Sequence, residues 1–197
     1  MTSLSLERLL PEQMIEDLPI FIGKIQHLAD VLGLDLSAYQ ADHIALRIND
    51  TILAQQAREA WSLYGDEISQ AQINGRPIIV STFHQPLIAA VWSLECLELP
   101  FPALGKTYPQ QGWEHVEFVV PSQAQTADDY LDDLKANFSR LNETIESLDM
   151  LDITMKLSSP KGDGERLNNP TVAFKHGGVC IKLHPHSLKA IVASEQA

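Results

Sequence analysis

The chain is an acidic polypeptide of 197 residues with a formal net charge of −12, and 45% of its residues are hydrophobic. This length allows one domain of generous size, and the composition is that of a folded protein rather than a disordered one. Only 14 residues are Lys or Arg and they are scattered, which excludes a broad basic face for nucleic acid or an anionic membrane surface. We therefore expect no nucleic-acid partner and no membrane partner.

The two cysteines and the start of the chain bear on the compartment. Cys96 and Cys180 are far apart and form no CxxC pair, so free thiols in a reducing compartment are expected rather than a disulfide framework. Acidic residues interrupt the N-terminal segment, which lacks the pattern of a secretory leader, and no apolar run approaches the ~18 residues of a membrane span. The sequence predicts a cytoplasmic protein.

Hydrophobic periodicity divides the first half of the chain into a helical segment, a strand, a second helix and three further strands. Apolar residues at helical spacing predict helix over 4–33, in two segments. Asp42–Ile48 alternates between aliphatic residues on one face and a face that carries His43 and Arg47, which predicts a strand. A helix is expected over Ile52–Tyr64, capped by an Asn-Asp-Thr run. The following strands are expected at Glu67–Ile73, Pro77–His84 and Ile88–Leu99, with turns at Asn74-Gly75 and His84–Pro86.

The second half of the chain repeats this order. Trp113–Val120 alternates like the first strand, with His115 and Glu117 on the face opposite its aliphatic residues. An apolar stripe predicts a helix over Ala124–Leu141. Further strands are expected at Met150–Leu157, Thr171–His176 and Val179–His184, with a turn-rich loop at Ser158–Pro170.

The order strand, helix, strand, strand, strand thus occurs twice. The two first-strand histidines, His43 and His115, are separated by a fixed number of residues. Adding that number to the middle of the first predicted helix gives a position inside the second predicted helix, which indicates a duplicated half-domain. We predict an α+β fold of two βαβββ modules, over 41–100 and 113–186. Residues 41–197 would form one structural unit after an N-terminal helical extension over 1–40. Two four-stranded sheets, each incompletely covered by one helix, would bury their open faces together and leave a cleft for a site.

Two histidines at equivalent positions could converge in that cleft. Imidazole and carboxylate groups are suitable ligands for a divalent transition metal, so His43 and His115 are candidate ligands. The alternative is that they only form hydrogen bonds in a polar cleft. The last strand of each module offers the remaining groups. These are Glu98 in the first module, which could also be a solvated charge, and Lys182 and His184 on one face of the second.

Charged residues on the same strand faces could take part in catalysis. Glu117 shares a face with His115 and could act as a base, because a carboxylate in a poorly hydrated cleft can be tuned for proton transfer. Arg47 shares a face with His43 and could bind an anionic group of a substrate through its planar guanidinium. Alternatively, Arg47 and Glu117 neutralise each other, and Lys182 is either exposed or ion-paired with a cleft carboxylate.

These features resemble the vicinal oxygen chelate superfamily, which includes glyoxalase I, methylmalonyl-CoA epimerase and extradiol dioxygenases. The resemblance rests on the paired modules, on a His that opens each first strand, and on Leu97–Leu99 at the end of the first module. A closer resemblance, over nearly the whole chain, is to the YecM family of bacterial proteins. It is carried by the N-terminal helical extension and by the stretches Asp42–Arg47, Trp113–Phe118 and Ile181–His186.

The superfamily resemblance implies a divalent metal held by the first and last strands of each module. The matching positions here are His43, Glu98, His115 and Lys182, and the metal could be Ni, Zn, Mn, Co or Fe. Lys182 departs from the Glu that is usual at the fourth position, and a protonated lysine cannot bind a metal. His184, on the same face, could take its place.

The resemblance implies a metal-assisted isomerase, epimerase or lyase that acts on a small oxygenated substrate. In such an enzyme, the candidate catalytic residues from the strand faces are Glu117, which would move the proton, and Arg47. The competing hypothesis is a non-catalytic protein of the same fold, with a degenerate metal site, that binds a small molecule in the cleft. A third hypothesis is a dimeric scaffold, because such modules also pair between chains. The chain is therefore expected to be a monomer or a homodimer.

Overall fold

The computed structural model describes residues 3–73, 75–159 and 167–195, which form one eight-stranded sheet and five α-helices. The helices are α1 (Pro11–Leu32), α2 (Thr51–Trp61), α3 (Ala127–Asn137), α4 (Ser139–Ile145) and α5 (Leu188–Glu195). The strands are β1 (Gln40–Arg47), β2 (Gly65–Ile73), β3 (Arg76–Ala89), β4 (Trp92–Pro100), β5 (Gly112–Val119), β6 (Thr154–Ser158), β7 (Thr171–His176) and β8 (Val179–His184).

Local sequence signals determine where several helices begin and end. Pro11 begins α1, since its fixed φ suits the first helical position, and Gly33 ends it with a φ of 71°. Asp50 caps α2 by accepting a hydrogen bond of 2.8 Å from a first-turn amide, as the Asn-Asp-Thr run predicts. Thr126 caps α3 in the same way. α2 and α3 therefore begin at residues that each satisfy one of the helix's free amides.

The sheet joins the two modules at its centre. β1 and β5 lie side by side and antiparallel, and the strand order is β2-β3-β4-β1-β5-β8-β7-β6. The first and last strands of each module are parallel neighbours, β1 with β4 and β5 with β8. This arrangement confirms the predicted α+β fold of two βαβββ modules. The modules join edge to edge in one sheet, however, and not as two sheets packed face to face, because their first strands pair with each other.

One hydrophobic cluster connects the N-terminal segment, the helices and the aliphatic face of the sheet. Ile44 and Leu46 of β1 and Val116 and Phe118 of β5 are fully buried in it. α1 packs against β5 and β8, so the N-terminal extension contributes to the same core. The core therefore occupies the face of the central strands that is opposite to the face carrying His43 and His115. In the described part of the chain, no helix is long and apolar enough to cross a membrane.

The turn predicted at His84–Pro86 is wrong. β3 continues through these residues, and the chain turns later, at Ala90, which has a φ of 56°. The pairing of β3 with β4 shifts register between Thr82 and Leu87, so Pro86 lies outside the regular ladder and its missing amide hydrogen is tolerated. The hairpin predicted before β3 is present, although Asn74 lies outside the described residues, since the strands pair on both sides of Gly75.

Three other predicted elements differ in extent. The helix predicted over Ala124–Leu141 is divided between α3 and α4 by Phe138, whose φ of −121° and ψ of 89° are not helical. The buried ring of Phe138 packs against Tyr39, which holds the chain in this break. The first helix begins only at Pro11, and β6 begins only after a 3₁₀ turn at Leu148–Leu151. Most of the predicted loop before β7 lies outside the described residues.

Replacing Gly33 with Ala is expected to lower the free energy of unfolding by at least about 1 kcal/mol. Ala is strained at a positive φ, and its Cβ would lie 2.4 Å from the Cβ of Arg140. Gly23→Ala is the matched control, because Gly23 lies within α1 with open space around it. That variant is expected to gain roughly 0.5–1 kcal/mol. Urea unfolding measures both values, and an equal effect of the two substitutions would contradict this account.

Candidate metal centre

The candidate site lies where the two modules meet, at the centre of the sheet. His43 of β1 and His115 of β5 belong to neighbouring antiparallel strands, and their ring centroids are 6.0 Å apart. Both residues are only 2% exposed. The structure therefore brings together the two histidines that the duplication identifies as equivalent.

A β-bulge beside each histidine orients its ring. The β1–β5 register skips Asp42 on one strand and Glu114 on the other, and these residues directly precede His43 and His115. Consecutive side chains of a regular strand point to opposite faces, whereas a bulge re-aims one of them. The Nδ1 of His43 thus donates to Asp42 Oδ2 at 3.0 Å, and the Nδ1 of His115 donates to a Glu114 carboxylate oxygen. The Nε2 atom of each ring is left to face the space between the modules.

Two carboxylates complete a group around these Nε2 atoms. Glu98 of β4 places Oε2 3.2 Å from His43 Nε2 and 3.8 Å from His115 Nε2. Glu117 of β5 places Oε1 3.3 Å and 3.0 Å from the same two nitrogens. The four ligand atoms lie within 4.8 Å of one another. Their nitrogen–oxygen distances of 3.0–3.8 Å are shorter than the span of about 4.0–4.4 Å that two metal bonds of about 2.0–2.2 Å can bridge. We call His43, Glu98, His115 and Glu117 the donor cluster.

Lys182 of β8 adds a positive charge to the donor cluster. Its Nζ lies 2.6 Å from Glu117 Oε1 and 3.1 Å from His115 Nε2. The strand register places Lys182 opposite Glu117, just as it places Glu98 opposite Ala45 in the first module. Of the alternatives considered for Lys182, the structure therefore shows the ion pair with a cleft carboxylate.

Burial and charge act in opposite directions on the acids and bases of this site. Burial raises the pKa of Glu117, but Lys182 and the histidines outweigh it and hold this pKa well below its usual value. Burial lowers the pKa of His43, yet the surrounding carboxylates hold it well above its usual value. Burial and Lys182 lower the pKa of His115, whereas Glu114 and Glu117 raise it, to about 9 overall. Acids and bases therefore stabilise one another in their charged forms.

His184 of β8 lies beside the donor cluster and is fully buried. Its Nδ1 donates to the backbone carbonyl of His186, so its Nε2 carries the free lone pair. This Nε2 lies 3.4 Å from Glu117 Oε2 and 3.9 Å from Asp42 Oδ2, and it has no hydrogen-bond partner among the described residues. Asp42, His43 and His184 also form a second group whose ligand atoms lie within 4.8 Å of one another. Burial lowers the pKa of His184, so the ring favours the neutral form.

A cavity of about 440 Å³ opens onto this site. Its lining includes His43, Glu98, Glu117, Lys182 and His184, together with residues of the outer strands and of α5. A volume of this size is typical of a small-molecule site. The cleft predicted between the modules is therefore present, and most of the candidate residues border it.

Arg47 is not among the residues that line this cavity. Its Nη2 pairs with Glu114 Oε1 at 2.6 Å, and its guanidinium lies 3.9 Å from the centre of the Tyr108 ring. Arg47 therefore holds Glu114, the carboxylate that orients His115, and it does not neutralise Glu117. The predicted contact of Arg47 with a substrate anion stays a prediction.

The structure also changes the grouping of two candidate residues. Glu117, predicted as a base, lies within the donor cluster, while His184, predicted as a ligand, lies beside it with a free Nε2. Sequence reasoning did not identify Asp42 and Glu114 as orienting residues. The signal was present, because an acidic residue directly precedes each of the two equivalent histidines.

Comparison with known proteins agrees with the sequence resemblance. The family model described as YecM protein matches residues 11–195. The chain belongs to the YecM family. It is 40% identical over 186 residues to Protein YecM of Escherichia coli (strain K12), covering 94% of each chain. It is 36% identical over 183 residues to an uncharacterized protein of Haemophilus influenzae (strain ATCC 51907 / DSM 11121 / KW20 / Rd), covering 88% of each.

A solved structure agrees as well. The structure of protein EC4020, from structural genomics, matches with a TM-score of 0.79 and 35% sequence identity, over 100% of this chain and 99% of that chain. The α+β architecture described above is therefore shared along the full length of both chains.

Replacing Lys182 with Met in metal-free buffer is expected to lower the free energy of unfolding by about 3 kcal/mol, because it leaves the buried Glu117 carboxylate without its ammonium partner. Added Zn²⁺ or Mn²⁺ is expected to restore stability, since the ion supplies the missing charge. Lys189→Met is the matched control. Its ion pair with Glu95 is exposed, and we expect a change of about 0.2–1 kcal/mol there.

Denaturant unfolding with and without the ion measures these effects. The interpretation of Lys182 is wrong if both variants lose the same stability, or if the ion has no effect on Lys182→Met.

Proposed function

We propose that this protein is a metal-dependent enzyme that acts on a small oxygenated substrate, as an isomerase, epimerase or lyase in the cytoplasm. The observation that carries the proposal is the donor cluster, in which four ligand atoms from both modules lie within 4.8 Å of one another beside a cavity of about 440 Å³. The YecM family relationship and the resemblance of the paired modules to vicinal oxygen chelate proteins are consistent with it.

The chemistry of the donor cluster fits a divalent transition metal. Two imidazole nitrogens and two carboxylate oxygens suit Ni, Zn, Mn, Co or Fe better than the all-oxygen sites of Ca²⁺ or Mg²⁺. A carboxylate on the second nitrogen of each imidazole, here Asp42 and Glu114, is the usual outer partner of metal-bound histidine and fixes its tautomer. The bound ion would polarise a carbonyl or hydroxyl oxygen of the substrate.

Two other side chains that line the cavity, those of His184 and Glu117, could transfer a proton to and from the substrate. His184 presents an unprotonated Nε2 without a hydrogen-bond partner among the described residues, and the residue lines the cavity. A neutral imidazole so placed can accept a proton from a carbon beside a carbonyl and return it on either side. Glu117 Oε2, 3.4 Å from this nitrogen, is placed to stabilise the resulting imidazolium. We therefore assign proton transfer to the pair of His184 and Glu117.

A non-catalytic ligand-binding protein is the second candidate function, and one observation favours it. Lys182 already supplies a positive charge to Glu117 and His115, in the region where a metal ion would bind. A cluster that is neutralised by its own lysine could hold a small molecule by hydrogen bonds alone. Metal titration separates the two functions.

Isothermal titration of metal-free protein with Mn²⁺, Zn²⁺, Ni²⁺, Co²⁺ and Fe²⁺ is expected to show one equivalent bound for at least one of them. His43→Ala and His115→Ala are each expected to weaken binding at least a hundred-fold, because each removes a ligand. His27→Ala is the matched control, since His27 is an exposed histidine of α1, and it should leave the affinity unchanged. Absence of stoichiometric binding for all five ions would contradict the metal-dependent function.

Metal-loaded protein in deuterated water is expected to exchange a C–H hydrogen beside a carbonyl in at least one member of a panel of short 2-oxo and 2-hydroxy acids. Such proton transfer is common to isomerases, epimerases and lyases. His184→Gln is expected to slow the exchange by about 10²–10⁴-fold, whereas the neighbouring His186→Gln should not. Proton NMR measures the rate. Metal binding without exchange in any substrate would favour the ligand-binding function, and equal rates in the two variants would exclude His184.

A further inference from the structure

The wall of the cavity carries positive charge, although the protein as a whole is acidic. Three of the chain's 14 Lys and Arg residues line it, namely Arg76, Lys156 and Lys182. Lys182 is paired with Glu117. Within the part of the chain that the structure describes, neither Arg76 nor Lys156 forms an ion pair. Among the described residues, the cavity therefore presents two cations without a carboxylate partner, in addition to the donor cluster.

These two cations come from opposite halves of the sheet. Arg76 begins β3 in the first module, and Lys156 belongs to β6, the outermost strand of the second module. Five strands separate β3 from β6 in the strand order, so both side chains line one cavity only because the sheet curls around it. The two modules thus contribute one cation each, just as they contribute one histidine each to the donor cluster.

Arg76 is held in place by its surroundings. Its Nη1 donates to the carbonyl of Phe101 at 3.2 Å, and the amide of Phe101 donates to the carbonyl of Pro77 at 2.9 Å. The residue is half-buried and lines the cavity. A fixed, partly desolvated guanidinium binds a carboxylate or phosphate more strongly than a mobile surface arginine does.

The other residues that line the cavity indicate what the middle of a ligand would contact. Ile78 of β3 and Leu188 and Ile191 of α5 supply apolar surface, while Ser158 and Thr171 supply hydroxyl groups. An aliphatic stretch with polar edges is compatible with such a wall. A volume of about 440 Å³ also limits the ligand to a small molecule.

We propose that the substrate is a short organic acid with two distinct ends. At one end, vicinal oxygens face the donor cluster, which rests on the proposed metal-dependent function. At the other end, a carboxylate or phosphate group lies against Arg76 and Lys156. Charge complementarity at this second end selects the substrate, because the acidic surface of the protein elsewhere repels anions.

Three probes with the same chelating end test this proposal: glycerate, malate and 3-phosphoglycerate. Each has a hydroxyl group beside a carboxylate, and only the last two carry a second anionic group. Calorimetry on Mn²⁺-loaded protein is expected to show at least one of the two binding about ten- to a hundred-fold more tightly than glycerate. Comparison of malate with 3-phosphoglycerate shows whether the second group is a carboxylate or a phosphate.

Arg76→Gln and Lys156→Gln are each expected to remove most of that preference and to weaken the binding of glycerate, which lacks the second anionic group, far less. Lys175→Gln is the matched control, since this exposed lysine of β7 changes the net charge equally but does not line the cavity. Equal affinities for the three probes, no binding of any of them, or the same loss in Lys175→Gln would overturn the anionic subsite.

The same titrations on protein treated with a chelator separate this proposal from the proposed function. If the protein binds no Mn²⁺ but still prefers malate or 3-phosphoglycerate over glycerate through Arg76 and Lys156, the subsite is upheld and the metal-dependent function is not. If Mn²⁺ binds at the donor cluster without any preference among the probes, the metal-dependent function stands and the subsite is wrong.

Discussion

Two hydrogen bonds at the junction of β1 and β5 govern the geometry of the site, the one from His43 to Asp42 and the one from His115 to Glu114. Each joins residues that are neighbours in the chain and that a regular strand would place on opposite faces, so each depends on a bulge. With Nδ1 held by a carboxylate, the Nε2 of each ring points between the modules. The duplicated strands therefore direct the Nε2 atoms of two histidines to one centre.

The two orienting carboxylates are themselves held by parts of the chain outside the central strands. Asp42 Oδ2 accepts the amide of Leu188 at 2.7 Å, which connects α5 to the site. Glu114 pairs with Arg47, whose guanidinium packs on Tyr108 in the connection between the modules. The C-terminal helix and the connection between modules thus fix the histidines from opposite sides. Mutations in either segment are expected to act on the site through ring orientation, without contact to a bound ion.

The sequence predicts the architecture well because the duplication repeats strong local signals. Alternating strands, apolar helical stripes and the cap at Asp50 each indicate one element, and the repeated order then fixes which histidines are equivalent. The errors have local causes. Pro86 resembles a turn signal, yet a register shift lets β3 pass through it, and Phe138 breaks a helix because its ring is buried against Tyr39. Neither long-range pairing nor ring burial can be derived from periodicity.

Sequence reasoning placed the two histidines, Glu98 and Lys182 at the site, but it did not place Arg76 or Lys156 there. Strand alternation identifies which residues share a face, so His115 and Glu117 could be placed together from sequence alone. It does not show how far a side chain reaches across a sheet, and for this reason the donor role of Glu117 was not identified. Arg76 and Lys156 carry no signal at all, since only the curl of the sheet brings β3 and β6 to the same cavity.

The departure from symmetry at the centre explains how a lysine can lie within a cluster of candidate metal ligands. In the first module, Glu98 lies opposite Ala45, whereas in the second module Lys182 lies opposite Glu117. In the second module the acid, Glu117, lies on the first strand and the last strand carries Lys182, so the centre has four candidate donor atoms and one cation. An ion held by the donor cluster would lie close to the Lys182 ammonium, and like charges at short distance repel. We expect the ammonium, whose side chain is 27% exposed, to move toward the cavity when an ion binds, where it would join Arg76 and Lys156. The charge that binds a substrate anion would then increase together with occupancy of the donor cluster.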